Sequence, residues 1–240
     1  MAKTLYTSDL HLGHANIIKY TGRTQFMSKD ELVEYNAMIA IEDTHEQRKR
    51  MHDMRISEET LIRHDNVLIN NINGCMTEDD TLIHVGDFSF KNTRGGKPGE
   101  GVCFKPIDYE KRIKPKIIYI MGNHCLKNGT PSKIMGMYLK DGGRHVYAVH
   151  KPEHCNFNYT VNLTGHVHEK WECMQVVLCE DRRFYALDAT KPEIGVITHC
   201  VNVGVDVWKF YPVDINKIMT RYWRWVNKHK KKDTTQIRLS

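Results

Sequence analysis

The sequence lacks the cysteine spacing that would indicate disulfide bonds or a thiolate metal site. Its 240 residues include seven cysteines, an odd number, and none of them form a Cys-x-x-Cys pair. Disulfide scaffolds and thiolate zinc sites usually carry such patterns. We therefore expect free thiols in a reducing compartment, the cytoplasm.

Long apolar runs, internal repeats and low-complexity segments are also missing. No stretch approaches the roughly 20 apolar residues of a membrane-spanning helix. The first residues enter an apolar strand pattern with no basic and then apolar leader. We expect no membrane association, and a single domain over residues 1–240, because this length can bury one sizeable core.

The net charge of +6 comes mostly from one segment near the end of the chain, which holds four lysines in residues 228–232. Asp214 can cap a last helix with one apolar stripe, so we expect a basic C-terminal helix and tail at about 213–240. Trp223 and Trp225 alternate with arginines, as nucleic-acid contact would require. The solvated basic end of an amphipathic helix explains the same pattern equally well.

Hydrophobic patterning in the first half predicts strands alternating with helices. Strands are predicted at 3–8, at 81 to Asp87 and at 117–121, with helices at 14–20 and from Ser57 to about Gly74. Ser28 and Glu31 fit a capping box that begins another helix. Residues 28–75 are predicted to be a helical insertion, of which the highly charged part, 42–56, is exposed.

The second half reads as mostly antiparallel sheet. Short strands are predicted at about 143–150, 159–165, 172–178, 183–188 and 195–203. They follow a helix predicted at 107–113 and a glycine-rich loop at 91–101, which cannot hold a regular element.

Five of the predicted strands end in residues that commonly bind metal ions. In open α/β sheets the ligand site lies beyond the carboxyl ends of the strands, so we expect these ends to converge. Carboxylate, amide and imidazole groups without thiolate suit Mn²⁺, Fe, Zn²⁺ or Mg²⁺, and this number of groups suits two ions. The residues are Asp9, His11, Asp87, Asn123, His150, His166 and His168.

In order along the chain these residues resemble the signature of the calcineurin-like metallophosphoesterases. That signature is D-x-H, G-D, G-N-H, a lone His and G-H-x-H, and the resemblance spans residues 3 to about 205. It implies a four-layer αββα sandwich in which helices flank two mixed sheets.

The resemblance also implies a mechanism, the hydrolysis of phosphomonoesters or phosphodiesters. Asp9, His11, Asp87 and His168 would hold one divalent ion, and Asp87, Asn123, His150 and His166 the other, with Asp87 bridging. A metal-bridging hydroxide would attack phosphorus, and His124 would assist the leaving group. Mn²⁺ is the ion expected in vitro, with Fe, Zn²⁺, Ni²⁺ and Mg²⁺ as alternatives.

The substrate is less well defined by the sequence. The basic tail and open loops favour a nucleotide or nucleic acid. Five cationic or imidazole residues beside the motifs are candidate substrate contacts, with solvated loop charge, or helix capping at His14, as the alternative. They are His14, Arg23, Lys91, Arg94 and Lys127.

Three departures from the common pattern concern the surroundings of the site. Cys125 stands where an acidic residue is frequent, Lys151-Pro152 follows the lone His, and the interval from Asp9 to Asp87 is long. His84, inside a predicted strand, is expected to be a core side chain. A non-catalytic metal-binding scaffold that recruits protein or nucleic-acid partners is the rival function, although such a scaffold has no use for His124.

Overall fold

The computed structural model describes residues 2–90, 105–130, 132–178, 184–187 and 196–236. The described chain is a mixed α/β fold with two β-sheets. This agrees with the predicted fold class at the level of two sheets and associated helices.

The first sheet contains three parallel strands, β1 (Thr4–Thr7), β2 (Thr81–Val85) and β3 (Lys116–Ile120), in that order. The prediction of two mixed sheets is therefore wrong for this sheet. Continuous apolar runs such as Thr81 to Val85 suit a parallel sheet because both of its faces are covered. Parallel pairing also brings the carboxyl ends of all three strands to one edge.

The second sheet has six described strands in the order β4-β5-β6-β9-β7-β8. They are β4 (Gly136–Asp141), β5 (Arg144–Val149), β6 (Val161–Thr164), β7 (Cys173–Leu178), β8 (Phe184–Leu187) and β9 (Val196–Asn202). The prediction of antiparallel pairing holds for β7 with β8 and for β7 with β9, and β5 pairs antiparallel with β4, but β6 pairs in parallel with both β5 and β9. The sequence analysis also missed β4.

Helices connect the strands and cover the sheets. They are α1 (Ala15–Tyr20), α2 (Lys29–Ile39), α3 (Thr44–Asp53), α4 (Glu58–Cys75), α5 (Pro106–Glu110), α6 (Cys125–Asn128) and α7 (Ile215–Gln236). Short 3-10 helices span Thr24–Phe26, Pro152–His154 and Val205–Trp208. No helix in the described ranges combines the length and apolarity needed to cross a membrane.

Glu31 connects two of these helices through their N-termini. The predicted capping box at α2 is present, since the Glu31 N–H donates to Ser28 Oγ at 3.2 Å and the Ser28 N–H donates to Glu31 Oε2 at 2.7 Å. The same carboxylate also accepts from the N–H of Ser57 at 2.7 Å and the hydroxyl of Thr60 at 2.6 Å, at the start of α4. One side chain therefore caps α2 and fixes α4 against it. The α3 helix between them has no buried residue, but Met54 and Ile56, which belong to the segment 42–56 predicted to be exposed, are buried.

Apolar side chains from both sheets form a common core. Tyr6, Ile83 and Ile120 of the first sheet pack in one cluster with residues of the second sheet such as Ala148 and Leu163. On the opposite face of the first sheet, Leu5 and Leu82 pack against Leu68 and Ile72 of α4. The described layers therefore run from α4 through the first sheet to the second.

Candidate metal centre

The carboxyl ends of six strands meet at one site. β1, β2 and β3 lead to Asp9, to Asp87 and to Asn123, while β5 and β6 lead to His150 and to the segment of His166 and His168. A parallel bridge between Ser8 and Gly204 joins the end of β1 to the segment after β9. All seven residues that the sequence nominated as ligands lie on the segments that follow these ends.

The first group of potential ligands contains Asp9, His11 and His168, whose ligand atoms all lie within 4.8 Å of one another. His11 Nε2 lies 3.8 Å from Asp9 Oδ1 and 3.8 Å from Asp87 Oδ2. This nitrogen is buried and has no hydrogen-bond partner among the described residues. Because a buried polar atom without a partner is costly, its presence between two carboxylates indicates a cation-binding position.

The second group contains Asp87, His150 and His166, also within 4.8 Å of one another. His150 Nε2 lies 3.2 Å from Asp87 Oδ2 and 3.0 Å from Asn123 Oδ1. The other ring nitrogen, Nδ1, lies 2.8 Å from the carbonyl oxygen of Val85 and donates a proton to it. This hydrogen bond orients the ring and leaves Nε2 available as a ligand atom.

Burial controls the protonation of the first group. It lowers the pKa of His11 well below the ordinary value, so the imidazole stays neutral, the form that binds metal ions. Burial also raises the pKa of Asp9, because the carboxylate loses solvation without gaining enough positive charge from its neighbours. Divalent cations would supply the missing charge.

The pKa of His150 changes in the opposite direction. Burial opposes the charged ring, but the hydrogen bond to Asp87 and the charge of Asp9 outweigh this effect and raise the pKa to about 8. A divalent cation bound at Nε2 would take the place of a proton on this ring.

The backbone of the site is strained. Seven non-glycine residues in the described ranges have positive φ, and five of them are nominated ligands: Asp9 at 57°, His11 at 51°, Asp87 at 58°, His166 at 72° and His168 at 51°. Left-handed backbone is unfavourable for residues with a side chain and concentrates at functional sites. Sequence patterns did not predict this feature, and it supports a functional role independently of the motifs.

The glycines beside the ligands permit close packing. A Cβ atom on Gly165 would overlap Ser8 Oγ and Asp9 Oδ2, and one on Gly86, whose φ is +93°, would overlap the His150 ring. These contacts give a physical reason for glycine immediately before Asp87 and before His166.

Arg23 lies beneath the site and not at its surface. Its side chain is 1% exposed and binds the Asp206 carboxylate with Nε at 2.7 Å and Nη2 at 2.9 Å. Nη2 also donates to the carbonyl oxygen of Asp9 at 2.8 Å. The prediction that Arg23 contacts substrate is therefore corrected: the guanidinium is buried by its partners and holds the strained Asp9 backbone.

Asp206 connects this arginine to the first ligand group. Its Oδ2 accepts from His168 Nδ1 at 3.0 Å, which leaves His168 Nε2 free to bind a metal ion. Burial alone would raise the pKa of Asp206, but Arg23 and His168 hold this pKa far below its ordinary value. The sequence analysis missed Asp206, because no local motif connects it with Arg23, 183 residues away.

The network extends further into the core through His64 and Asp65. Arg23 Nη1 lies 2.8 Å from His64 Nε2, and His64 Nδ1 lies 2.8 Å from Asp65 Oδ1. Asp65 Oδ2 accepts from the Tyr109 hydroxyl and from the N–H of Gly13, each at 2.9 Å. Helix α4 therefore supports the loop that carries His11. Sequence reasoning missed these polar residues because they lie within an apparently amphipathic helix.

His124 and His14 lie beside the first group. The N–H of His124 donates to Asp87 Oδ1 at 2.9 Å, and its half-buried ring lies 5.7 Å from the His11 ring. The His14 ring stacks on Phe90 with 3.6 Å between centroids, and the Nδ1 atoms of His14 and His11 are 3.4 Å apart. His14 makes no side-chain capping bond to α1, so the capping alternative is wrong.

The remaining nominated residues have different positions. Lys127 is exposed on α6, and Lys91, Arg94 and the predicted 91–101 loop lie outside the described residues. His84 is fully buried and packs edge-on against Phe88, as predicted for a core side chain.

Comparisons with known proteins give limited matches. A family model described as GP4 matches residues 135–220, which is less than half of the chain. A protein of unknown function, AQ665 from Aquifex aeolicus, has a crystal structure similar to this chain at 16% identity with a TM-score of 0.49, covering 90% of this chain and 97% of that chain. No curated protein matches.

The comparisons correct the family assigned from the sequence motifs. The family model that matches is GP4, and it provides no evidence for a calcineurin-like metallophosphoesterase. The assignment to that family is therefore wrong, and inferences about function depend on the geometry of the site.

Proposed function

We propose that this protein is a hydrolase of phosphate esters that uses two divalent metal ions. The observation that carries the proposal is the pair of adjacent ligand groups, with the buried, unpartnered His11 Nε2 in the first and Asn123 Oδ1 beside His150 in the second. Asp87 lies between the groups, within 3.8 Å of His11 and 3.2 Å of His150.

The side chains fit two ions by chemistry and by number. Asp9, His11 and His168 would hold one ion, and Asn123, His150 and His166 the other, with Asp87 shared. Oxygen and imidazole donors without thiolate suit Mn²⁺ first, with Fe, Zn²⁺, Ni²⁺ or Mg²⁺ as alternatives. Such ions would supply Lewis acidity, which activates water as a nucleophile and neutralises charge on the phosphate.

The chain's own residues orient the reaction. The carbonyl of Val85 and the carboxylate of Asp206 each fix the tautomer of one ligand histidine. His124, held by its backbone bond to Asp87, has a half-buried ring that can donate a proton to the leaving oxygen of the ester. Asn123 would coordinate through a neutral amide oxygen and so leave more positive charge for the anionic substrate.

The direct test is hydrolysis of p-nitrophenyl phosphate and bis-p-nitrophenyl phosphate with Mn²⁺, before and after chelation. We expect chelator-sensitive turnover of at least one ester. His124→Ala should keep both ions and lose most turnover, whereas Asp87→Ala should lose both properties. His145→Ala, at an exposed histidine bonded to Tyr138, is the matched control and should leave turnover unchanged.

The alternative function is a non-catalytic metal-binding scaffold that recruits protein or nucleic-acid partners. Bound Mn²⁺ without turnover of either ester would favour it. The position of His124 beside Asp87 argues for catalysis, because a scaffold gains nothing from a proton donor at this point.

We further propose a nucleotide or nucleic acid as the substrate. A groove of about 580 Å³ is lined by Trp171, Trp225, Arg224 and Lys228, a combination that suits stacked bases and phosphates. Deleting residues 228–240 should weaken oligonucleotide binding and flatten its salt dependence. Unchanged binding would exclude the basic tail as a nucleic-acid contact.

Two finer expectations also belong to the proposal. The first helical layer of a four-layer αββα arrangement is supported by α4, which packs on the first sheet. On the second sheet, a buried cluster that includes Cys155 and Cys200 marks the face that a second helical layer would cover. A cytoplasmic location is supported by the free thiols of the described cysteines 75, 125, 155, 173 and 200.

A further inference from the structure

A cavity of about 220 Å³ opens beside the second ligand group. Its walls come from the segment after β3, from α6, from the residue before β4 and from the end of β5. Asn123 and His150 belong to both the ligand group and the cavity wall. An anion held at the ligand group would therefore have its organic substituent at the entrance to this cavity.

The other walls are largely apolar and unusually exposed. Leu126 is 74% exposed and Met135 58% exposed, while Met121 is half-buried and Val149 is buried. Large apolar side chains grouped at the mouth of a cavity beside a polar site are typical of ligand-binding surfaces. Methionine also adapts its shape to flat ligands.

Two cationic or titratable side chains complete the cavity. Lys151 follows His150 directly, and His154 lies in the short helix after it. Lysine can attract the anionic ester, while the apolar walls provide contact surface for its substituent. The cavity is therefore suited to a ligand with an anionic group at one end and an apolar group at the other.

We propose that this cavity binds the flat aromatic ring of the ester's organic group while the phosphate occupies the metal centre. The inference rests on the proposed function for the position of the phosphate. At about 220 Å³ the cavity is smaller than the roughly 300–1,000 Å³ of sites for drug-sized molecules. It accommodates one ring system, such as an aryl group or a nucleobase, and not a peptide.

The test compares the affinities of non-hydrolysable phosphonates for the full chain loaded with Mn²⁺. Phenylphosphonate and methylphosphonate share the anionic group and differ in the ring, and calorimetry measures both without turnover. Burying about 60 Å² of ring surface corresponds to about tenfold tighter binding of the phenyl compound. Adenosine 5′-monophosphate against ribose 5-phosphate, measured in the same way, distinguishes a nucleobase from a simple aryl group.

Leu126→Ser and Met135→Ser should each reduce the phenyl preference to about threefold or less and leave the affinity for methylphosphonate unchanged. Both side chains are exposed, so neither replacement disturbs the core. Val33→Ser, at an apolar side chain of α2 that is 69% exposed, is the matched control and should keep the full preference.

Equal affinities for the two phosphonates, or a preference that both cavity variants retain, would overturn the inference. Failure of phenylphosphonate to bind where methylphosphonate binds would overturn it as well. Ring-dependent binding without hydrolysis of any ester would instead count against the proposed function and leave the cavity assignment in place, so the two failures are distinguishable.

Discussion

Replacement of Arg23 by methionine tests how the buried network supports the metal centre. The substitution removes a guanidinium that is 1% exposed and leaves the Asp206 carboxylate, 4% exposed, without its cationic partner. It also removes the donors to the carbonyl oxygens of Asp9 and Leu10. Loss of one partner from a buried ion pair costs about 3–5 kcal/mol. For a chain of this length we expect the melting temperature to fall by about 6–20 °C.

The double variant Arg23→Met/Asp206→Leu separates stability from metal binding. Replacing both members of a buried ion pair by apolar residues is often neutral, so we expect most of the lost stability to return. His168 still loses its hydrogen-bond partner, and Mn²⁺ affinity should remain about 10–100-fold below that of the parent chain. Thermal unfolding of metal-free protein and Mn²⁺ titration measure the two effects independently.

The matched control is Arg50→Met. Arg50 also binds a carboxylate, Glu46 at 2.7 Å, but the two side chains are 64% and 42% exposed. An exposed pair of this kind contributes about 0.3–0.5 kcal/mol, so the control should melt near the parent temperature. If Arg23→Met loses no more stability than Arg50→Met, or if the double variant binds Mn²⁺ as tightly as the parent, the reasoning about this network is refuted.

Two further predictions concern other parts of the fold. Burial would raise the pKa of Glu31, but hydrogen bonds to the carboxylate outweigh this effect and lower the pKa below its ordinary 4.5. The ionised carboxylate therefore stabilises the fold above pH 4.5, and this contribution is lost as the pH falls through the lowered pKa. Urea unfolding of Glu31→Gln should show a deficit of about 1–3 kcal/mol at neutral pH that shrinks below pH 4.5, and a deficit independent of pH would contradict this. Gly165→Ala should cost about 1–3 kcal/mol and weaken Mn²⁺ binding, because its Cβ overlaps Asp9, whereas Gly74→Ala in α4 meets no atom and should stabilise by about 0.4–1 kcal/mol. Equal effects of the two glycine variants on Mn²⁺ affinity would contradict the close-packing argument.

Local patterns in the sequence predicted most elements of the fold. The capping box at Ser28, the three strands of the first sheet and the helix that begins after Ser57 all appear near their expected bounds. The direction of strand pairing was harder to predict, because short apolar runs look the same in the sequences of parallel and antiparallel sheets. This explains the wrong expectation for β6, which pairs in parallel with both β5 and β9.

The ligand side chains could be nominated from sequence because strand ends in α/β folds converge. The side chains that hold the ligands in place could not be predicted, since Asp206 and Arg23 are 183 residues apart in the sequence. The contact between Glu31 and Ser57, 26 residues apart, could not be predicted for the same reason. The positive φ angles at the ligands also have no sequence signature, because only a small fraction of aspartates and histidines adopt them. The family assigned from the motifs was wrong, since the family model that matches part of the chain is GP4.

The central claim is that two divalent cations bind among the grouped carboxylate, amide and imidazole donors. Anomalous diffraction at the manganese edge from crystals grown with Mn²⁺ tests it most directly. We predict two peaks about 3.5–4 Å apart, one beside His11 Nε2 and one beside Asn123 Oδ1, with Asp87 between them. An absence of peaks at these atoms, or manganese bound only elsewhere on the chain, would contradict the account.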